Sequence, residues 1–137
     1  MSSGELATKE VFEWIDTMPK IIRYSDLLTR LIGDIGSLKV EQERGTNCSS
    51  VSCYMMDYGV SESEAIESLQ KIISSIWKVM KEECLRVHPV PMRIIKNLLN
   101  YDRSVAWYYA GGDGQSVSDG RTKEIINSIF VNPIPFC

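Results

Sequence analysis

Apolar side chains recur at every third or fourth position along most of the chain, which is the spacing of one face of an α-helix. The clearest segment runs from Ser61 to Leu85, where Ser61 and Glu64 have the spacing of a capping box. Its regularly spaced apolar residues are Ile66, Leu69, Ile73, Ile76, Trp77 and Met80. We therefore predict a long amphipathic helix over this segment.

Start and stop residues divide the rest of the chain into further helices. Gly45 and Gly59 are placed to end helices at the C-cap. The predicted helices are Thr8–Asp16, Lys20–Arg44, Ser49–Tyr58, Arg93–Tyr109 and Arg121–Val131, with a glycine-rich loop over Ala110–Asp119. No segment of the sequence shows the strict alternation of a β-strand. The sequence therefore predicts a single all-α domain over residues 1–137.

Composition narrows the class of protein. The chain is 44% hydrophobic and 24% charged, as in soluble globular proteins. Its net charge of -3 and the lack of a dense basic segment argue against nucleic acid as a partner. No apolar run reaches the roughly 20 residues of a membrane-spanning helix. The four cysteines match no zinc motif, so we predict reduced thiols. No signal peptide is visible, so we predict a cytoplasmic location, with a plastid transit peptide on a longer protein as the alternative.

A polar stripe follows one side of the predicted Lys20–Arg44 helix. Its members fall within roughly 80° of one another on the helical wheel and are Arg30, Asp34, Ser37, Glu41 and Arg44. The stripe is either a solvated edge carrying an ordinary surface ion pair between Arg30 and Asp34, or the wall of a polar cavity whose oxygen atoms hold a hard cation. The pattern alone favours the solvated edge, because charged stripes on helices are common.

The segment from Arg30 to Gly45 resembles the second metal-binding motif of class I plant-type terpene synthases, which reads (Asn/Asp)-Asp-x-x-(Ser/Thr)-x-x-x-Glu. The resemblance continues in one register over essentially the whole chain, through Thr8–Trp14, Tyr58–Glu62 and Gly112–Gly114. It therefore favours the cavity interpretation of the stripe. It also implies the C-terminal portion of the all-α isoprenoid synthase bundle, most like that of sesquiterpene synthases.

The resemblance places the family's three metal-ligand positions on Gly33, Ser37 and Glu41. Side chains at this spacing can reach into one cavity, and the family binds Mg²⁺, with Mn²⁺ as an alternative. Gly33 offers no side-chain oxygen, so a water or Asp34 would have to complete the site. The family's residue at the position of Asp34 is usually not a ligand. The resemblance thus implies an altered metal site built on Ser37 and Glu41.

The resemblance also implies four residues that contact the substrate. Arg30 matches an arginine that binds the substrate diphosphate, and Arg44 is a second candidate whose charge is equally explained by its place near the helix C-terminus. Tyr109 and Asp113 match an aromatic ring and a loop acid of the substrate cavity, with Tyr108 as the near alternative to Tyr109. An aromatic face suits this place because it stabilises a carbocation by cation–π attraction.

The family's first metal motif, Asp-Asp-x-x-Asp, does not occur in the sequence, in which no two aspartates are adjacent. We therefore expect an incomplete fragment of an enzyme that converts a prenyl diphosphate, farnesyl diphosphate by the resemblance, to a terpene. We expect no turnover from the chain alone, because the facing half of the metal cluster is missing. The alternative is a non-catalytic α-helical protein that binds a partner. An apolar face without its packing partners also predicts self-association.

Overall fold

The computed structural model describes residues 4–46, 48–117 and 120–132, and every regular element in these ranges is a helix. A short 3₁₀ helix covers Gly4–Leu6. The α-helices are α1 (Lys9–Asp16), α2 (Lys20–Glu43), α3 (Ser50–Tyr58), α4 (Glu62–Cys84), α5 (Met92–Tyr108) and α6 (Arg121–Phe130). The predicted all-α class is confirmed. The last two residues of the predicted loop, 118 and 119, lie outside the described ranges.

Local capping explains why the helix ends lie within one residue of the predicted positions. At the start of α4, the Ser61 N–H donates to Oε2 of Glu64 at 2.9 Å and the Glu64 N–H donates back to Oγ of Ser61 at 3.4 Å, which confirms the capping box. Gly59 ends α3 in the left-handed conformation, at φ +64°. Gly45, at φ +75°, lies one residue beyond the C-cap of α2 rather than at it.

Helix α2 lies at the centre of the fold and packs against α3, α4 and α5. These neighbours bury seven of its 24 residues. Its buried residues are Ile21, Ser25, Leu28, Leu31, Asp34, Ser37 and Leu38. The other helices complete the core with Val51, Ala65, Leu69, Ile76, Met80 and Ile95. Two members of the polar stripe, Asp34 and Ser37, are therefore buried beside apolar side chains.

Helix α5 carries a buried acid that the sequence did not predict. Asp102 is fully buried, and its Oδ1 accepts a hydrogen bond from Oγ of Ser25 at 2.6 Å. Its Oδ2 has no hydrogen-bond partner among the described residues. Burial raises the pKa of Asp102, and the hydrogen bond from Ser25 offsets only part of that rise, to which the charge of Asp26 adds. The α2–α5 interface therefore holds a carboxyl group whose pKa lies above its ordinary value.

Several apolar side chains remain in contact with solvent. On α6, Ile126, Ile129 and Phe130 are 50%, 60% and 80% exposed, and Leu27 on α2 is 44% exposed. These exposed side chains lie mostly on α6 rather than on α2, and the self-association predicted from the long helix stays a prediction. Within the described ranges, no helix combines the length and apolarity that crossing a bilayer requires.

Candidate functional site

Asp34 joins α2 to the first turn of α3. Its two carboxylate oxygens each lie 3.0 Å from Nε of Arg30, one turn earlier on the same helix. Its Oδ2 also accepts the backbone N–H of Ser50 at 2.7 Å and the Ser50 hydroxyl. Ser50 is the first residue of α3, where an N–H has no acceptor within its own helix. The Asp34 carboxylate therefore holds two helices together, and both of its oxygens are already bonded.

Ser37 and Glu41 meet one turn further along α2. The Ser37 hydroxyl lies 2.8 Å from Oε1 of Glu41 and 2.9 Å from the carbonyl oxygen of Gly33. Ser37 is buried and Glu41 is half-buried. Hydroxyl and carboxylate oxygens are ligands that hard divalent cations prefer. The structure thus brings together the two side chains predicted as metal ligands.

The donor set fits a metal ion only in part. Gly33, at the first ligand position, contributes no side chain, and the carboxylate of Asp34 is engaged at α3. Among the described residues, no group of three or more His, Cys, Asp or Glu side chains is placed to hold a metal ion. Of the three positions that the resemblance predicts as metal ligands, two therefore carry an oxygen-bearing side chain, Ser37 and Glu41.

The aromatic ring of Tyr109 rests directly on α2. A Cβ built on Gly36 would lie 2.5 Å from Cδ1 of Tyr109, closer than real Cβ atoms approach a neighbour. A Cβ on Gly33 would lie 4.0 Å from the same ring, at ordinary contact distance. The alternative ring, Tyr108, packs edge-on against Trp107 with centroids 5.1 Å apart. Tyr109 is therefore the ring that lies against the predicted metal motif, and glycine at position 36 allows it to do so.

The loop after α5 is held by Asp113. Its Oδ1 accepts the backbone N–H groups of Gln115 and Ser116 at 3.1 and 2.9 Å. Burial raises the pKa of Asp113, but the hydrogen bonds from Ser116 and Gln115 and the charge of Arg44 outweigh burial and hold the pKa below its ordinary value. The Gln115 side chain in turn accepts the Tyr109 hydroxyl at 2.9 Å. The loop is thus fixed to the ring that lies on α2.

Charged groups of the polar stripe on α2 act on the pKa values of Tyr109 and Asp113. Burial raises the pKa of Tyr109, and the negative charges of Asp113 and Glu41 raise it further, so the phenol is neutral at pH 7. The positive charge of Arg44 acts on Asp113. We refer to the five residues Ser37, Glu41, Arg44, Tyr109 and Asp113 as the α2–loop cluster. It contains all of the predicted site residues except Arg30 and Asp34.

Arg30 lies on the same stripe of α2, two turns before Ser37. It lines a cavity of about 450 Å³ together with residues of α3 and the segment before it, among them Cys48, Ser50 and Cys53. The Arg30 side chain is 64% exposed, so the ends of its guanidinium group remain accessible although Nε is bonded to Asp34. The sequence therefore predicted the Arg30–Asp34 pair but not its attachment to α3.

A cavity of about 610 Å³, mainly but not wholly apolar, adjoins the Tyr109 ring. Most of its wall comes from α2 and α4, through Ile32, Ile35, Ile66, Ile73 and Trp77. Neither Ser37 nor Glu41 lines this cavity. The ring of Tyr109 therefore stands between a mainly apolar space and the polar α2–loop cluster.

Three further residues contribute to the site without having been predicted to do so. Gly36 receives the Tyr109 ring, Ser50 anchors Asp34, and Gln115 accepts the Tyr109 hydroxyl. The spacing of two glycines three residues apart on one helix face was a visible signal for Gly36. Ser50 had no comparable signal, because its partner Asp34 lies on another helix.

Comparison with known proteins agrees with this geometry. Residues 1–79 match the model of the terpene synthase family, metal binding domain. The chain is 44% identical over 131 residues to beta-cubebene synthase from Magnolia grandiflora, covering 96% of this chain and 24% of that protein. It is 37% identical over 134 residues to a probable sesquiterpene synthase from Santalum murrayanum, covering 98% of this chain and 24% of that protein.

A solved structure shows the same fold. The structure of isoprene synthase from grey poplar leaves (Populus x canescens), in complex with three Mg²⁺ ions and dimethylallyl-S-thiolodiphosphate, superimposes with a TM-score of 0.76 at 31% sequence identity. The match covers 93% of this chain and 24% of that one. The chain thus spans about a quarter of the length of the proteins it matches. It belongs to the terpene synthase family and matches that family's metal-binding domain.

Proposed function

We propose that this chain forms one side of a class I terpene synthase active site, the side that binds the diphosphate of a prenyl diphosphate. The observation that carries the proposal is the α2–loop cluster, in which a hydroxyl and a carboxylate 2.8 Å apart lie near an aromatic ring. The reaction is the loss of diphosphate from farnesyl diphosphate, followed by formation of a terpene. The likeness to a probable sesquiterpene synthase supports this choice of substrate.

Ser37 and Glu41 would hold a Mg²⁺ ion, with Mn²⁺ as an alternative, jointly with diphosphate oxygens and water. A bound metal ion would neutralise the charge that develops on the departing diphosphate. The isoprene synthase structure, which is a complex with three Mg²⁺ ions and a thiolodiphosphate, supports this assignment. Because Gly33 supplies no oxygen, we expect this chain to bind the ion weakly.

Arg30 is proposed to bind the diphosphate through its two Nη groups, since a guanidinium fork matches phosphate oxygens. Asp34 holds the Nε of Arg30 at 3.0 Å and so orients the fork. We therefore assign Asp34, which had been predicted as a further metal ligand, to positioning Arg30. Arg44, near Asp113 at the end of α2, is the candidate for a second contact with the diphosphate.

Tyr109 and Asp113 are proposed to line the substrate cavity. The Tyr109 hydroxyl donates to Gln115 and the phenol stays neutral, so the group acts through its π face on a carbocation rather than as a base. Asp113, whose pKa is lowered, contributes a fixed negative charge beside the ring. Its hydrogen bonds to the loop keep both groups in place.

The chain covers 24% of beta-cubebene synthase and contains no Asp-Asp-x-x-Asp motif. We therefore propose that residues 1–137 are part of a C-terminal metal-binding domain, and that catalysis requires helices bearing the other metal motif.

A chimera tests the proposal. The segment of beta-cubebene synthase that matches this chain is replaced by this chain, and the product is assayed with farnesyl diphosphate and Mg²⁺ by gas chromatography of terpenes and by release of diphosphate. We expect turnover by the chimera and none by the chain alone. Glu41→Gln should reduce turnover by at least about tenfold. Glu43→Gln, an exposed change two residues away, is the matched control and should leave turnover unchanged.

A second candidate function is that of a non-catalytic helical protein that binds a partner. The exposed apolar residues of α6, Ile126, Ile129 and Phe130, favour it. A chimera that folds with the stability of beta-cubebene synthase but turns over neither farnesyl nor geranyl diphosphate would make this the better proposal.

A further inference from the structure

Two exposed cysteines flank the capped start of α3. Cys48 precedes the N-cap residue Ser49, and Cys53 is the fourth residue of the helix. These are the positions whose side chains pack against each other across a capped helix start. Both cysteines also line the 450 Å³ cavity beside Arg30.

The backbone between the two cysteines is firmly held. The Ser49 N–H donates to Oγ of Ser52 at 3.0 Å, and the Ser52 N–H donates back to Oγ of Ser49 at 3.3 Å. Ser49 is buried, and the next residue, Ser50, is bonded to Asp34. Hydrogen bonds at three of the four intervening residues therefore hold the backbone that joins the two cysteines.

We propose that Cys48 and Cys53 form a dithiol modification site, which a low-molecular-weight disulfide such as glutathione disulfide oxidises to an intramolecular disulfide. The thiolate of one cysteine attacks a sulfur of glutathione disulfide, giving a mixed disulfide and one glutathione thiolate. The second cysteine then attacks the protein sulfur of the mixed disulfide and expels the second glutathione. The two protein thiols are oxidised, glutathione disulfide is reduced, and the two protons end on the two released glutathiones.

Cys84 provides a contrast within the same chain. It lies half-buried on α4, where burial raises the pKa of its thiol above the ordinary value. Attack on a disulfide needs an accessible thiolate, so Cys84 should react more slowly than the exposed pair. Cys137 lies outside the described residues.

The disulfide would bracket the α3 cap and Ser50, through which Asp34 and Arg30 are attached to α3. Oxidation at this site would therefore act on the support of Arg30. The proposal concerns thiols outside the α2–loop cluster and holds whether or not the chain takes part in terpene synthesis.

Mass spectrometry of one peptide tests the proposal. Trypsin cuts after Arg44 and after Lys71, and the peptide 45–71 contains Cys48 and Cys53 but no other cysteine. The full chain is treated with glutathione disulfide and the remaining thiols are alkylated. The chain is then digested with trypsin, and the peptide masses are measured. We expect this peptide to lose two hydrogen atoms and to carry neither glutathione nor the alkylating group.

The variants Cys48→Ser and Cys53→Ser distinguish an internal disulfide from simple modification. Each variant lacks the resolving thiol, so its peptide should accumulate with one glutathione attached and without the loss of two hydrogens. Cys84→Ser is the matched control and should leave the result for peptide 45–71 unchanged. If the unmutated peptide instead accumulates with one or two glutathiones, or if its cysteines link to a different peptide, the proposal is wrong.

Discussion

The contact between Gly36 and Tyr109 leads to a prediction about stability. In Gly36→Ala, the new Cβ would lie 2.5 Å from Cδ1 and 2.7 Å from Cβ of Tyr109. Rotation of the ring can relieve the first contact but not the second, so the end of α5 must move away from α2. In Gly33→Ala, the new Cβ meets the same ring at 4.0 Å and needs no movement. Gly33→Ala is therefore a matched control on the same helix.

The magnitudes follow from two opposing effects. Replacing glycine by alanine inside a helix stabilises it by about 1 kcal/mol, and overpacking a close contact costs about 1–3 kcal/mol. Gly33→Ala should therefore raise the free energy of unfolding by about 1 kcal/mol. Gly36→Ala should leave it unchanged or lower it by up to about 2 kcal/mol. In a Tyr109→Gly background, which removes both close atoms, Gly36→Ala should stabilise by about 1 kcal/mol.

Urea unfolding followed by circular dichroism measures these differences, at protein concentrations where light scattering detects a single species. The decisive quantity is the effect of Gly36→Ala with and without the Tyr109 side chain. If Gly36→Ala stabilises the chain as much as Gly33→Ala does while Tyr109 is present, the ring does not lie on Gly36. The arrangement of the α2–loop cluster would then be wrong as well.

Three further predictions concern metal affinity, association and pH. In the chimera, Gly33→Asn should lower the Mg²⁺ concentration that gives half-maximal turnover, because it adds an oxygen ligand where a side chain has room. An unchanged Mg²⁺ titration would contradict this prediction. The chain alone should be helical by circular dichroism and should bind a hydrophobic dye. It should self-associate in size-exclusion chromatography with light scattering, and Phe130→Glu should weaken the association. A monomer that binds no dye would count against the exposed apolar face. The pKa of Asp102 is raised in the folded chain, so the protonated group stabilises the fold at acid pH. This contribution to the free energy of unfolding is lost as the pH rises from the unfolded pKa, about 4, through the folded pKa. Asp102→Asn should therefore be more stable relative to the unmutated chain at neutral pH than at acid pH, and parallel urea-unfolding profiles across pH would refute this.

The helices could be predicted from the sequence because their ends are set by neighbouring residues. The Ser61–Glu64 capping box and the left-handed Gly59 act within one turn of chain, and such local signals are legible without a fold. The same is true of the ion pair between Arg30 and Asp34, which lie four residues apart on one helix.

The site could be predicted only where family likeness or local spacing supplied the partner. Gly36 lies three residues after Gly33 on the same helix, but its contact with Tyr109 depends on how α5 crosses α2. Asp102 had no distinguishing local pattern, since an acid on an amphipathic helix is normally expected to face water. Contacts between distant segments of chain decide both cases, and periodicity carries no information about them.

The hydrogen bond from Ser50 to Asp34 affects how backbone hydrogens exchange with solvent. The amides of a helix's first turn have no acceptor inside the helix and usually exchange as freely as those of a loop. The Ser50 amide instead donates, at 2.7 Å, to a carboxylate that is only 7% exposed and belongs to another helix. This amide can exchange only when α2 and α3 separate, so its protection reports the docking of the two helices rather than the stability of either one.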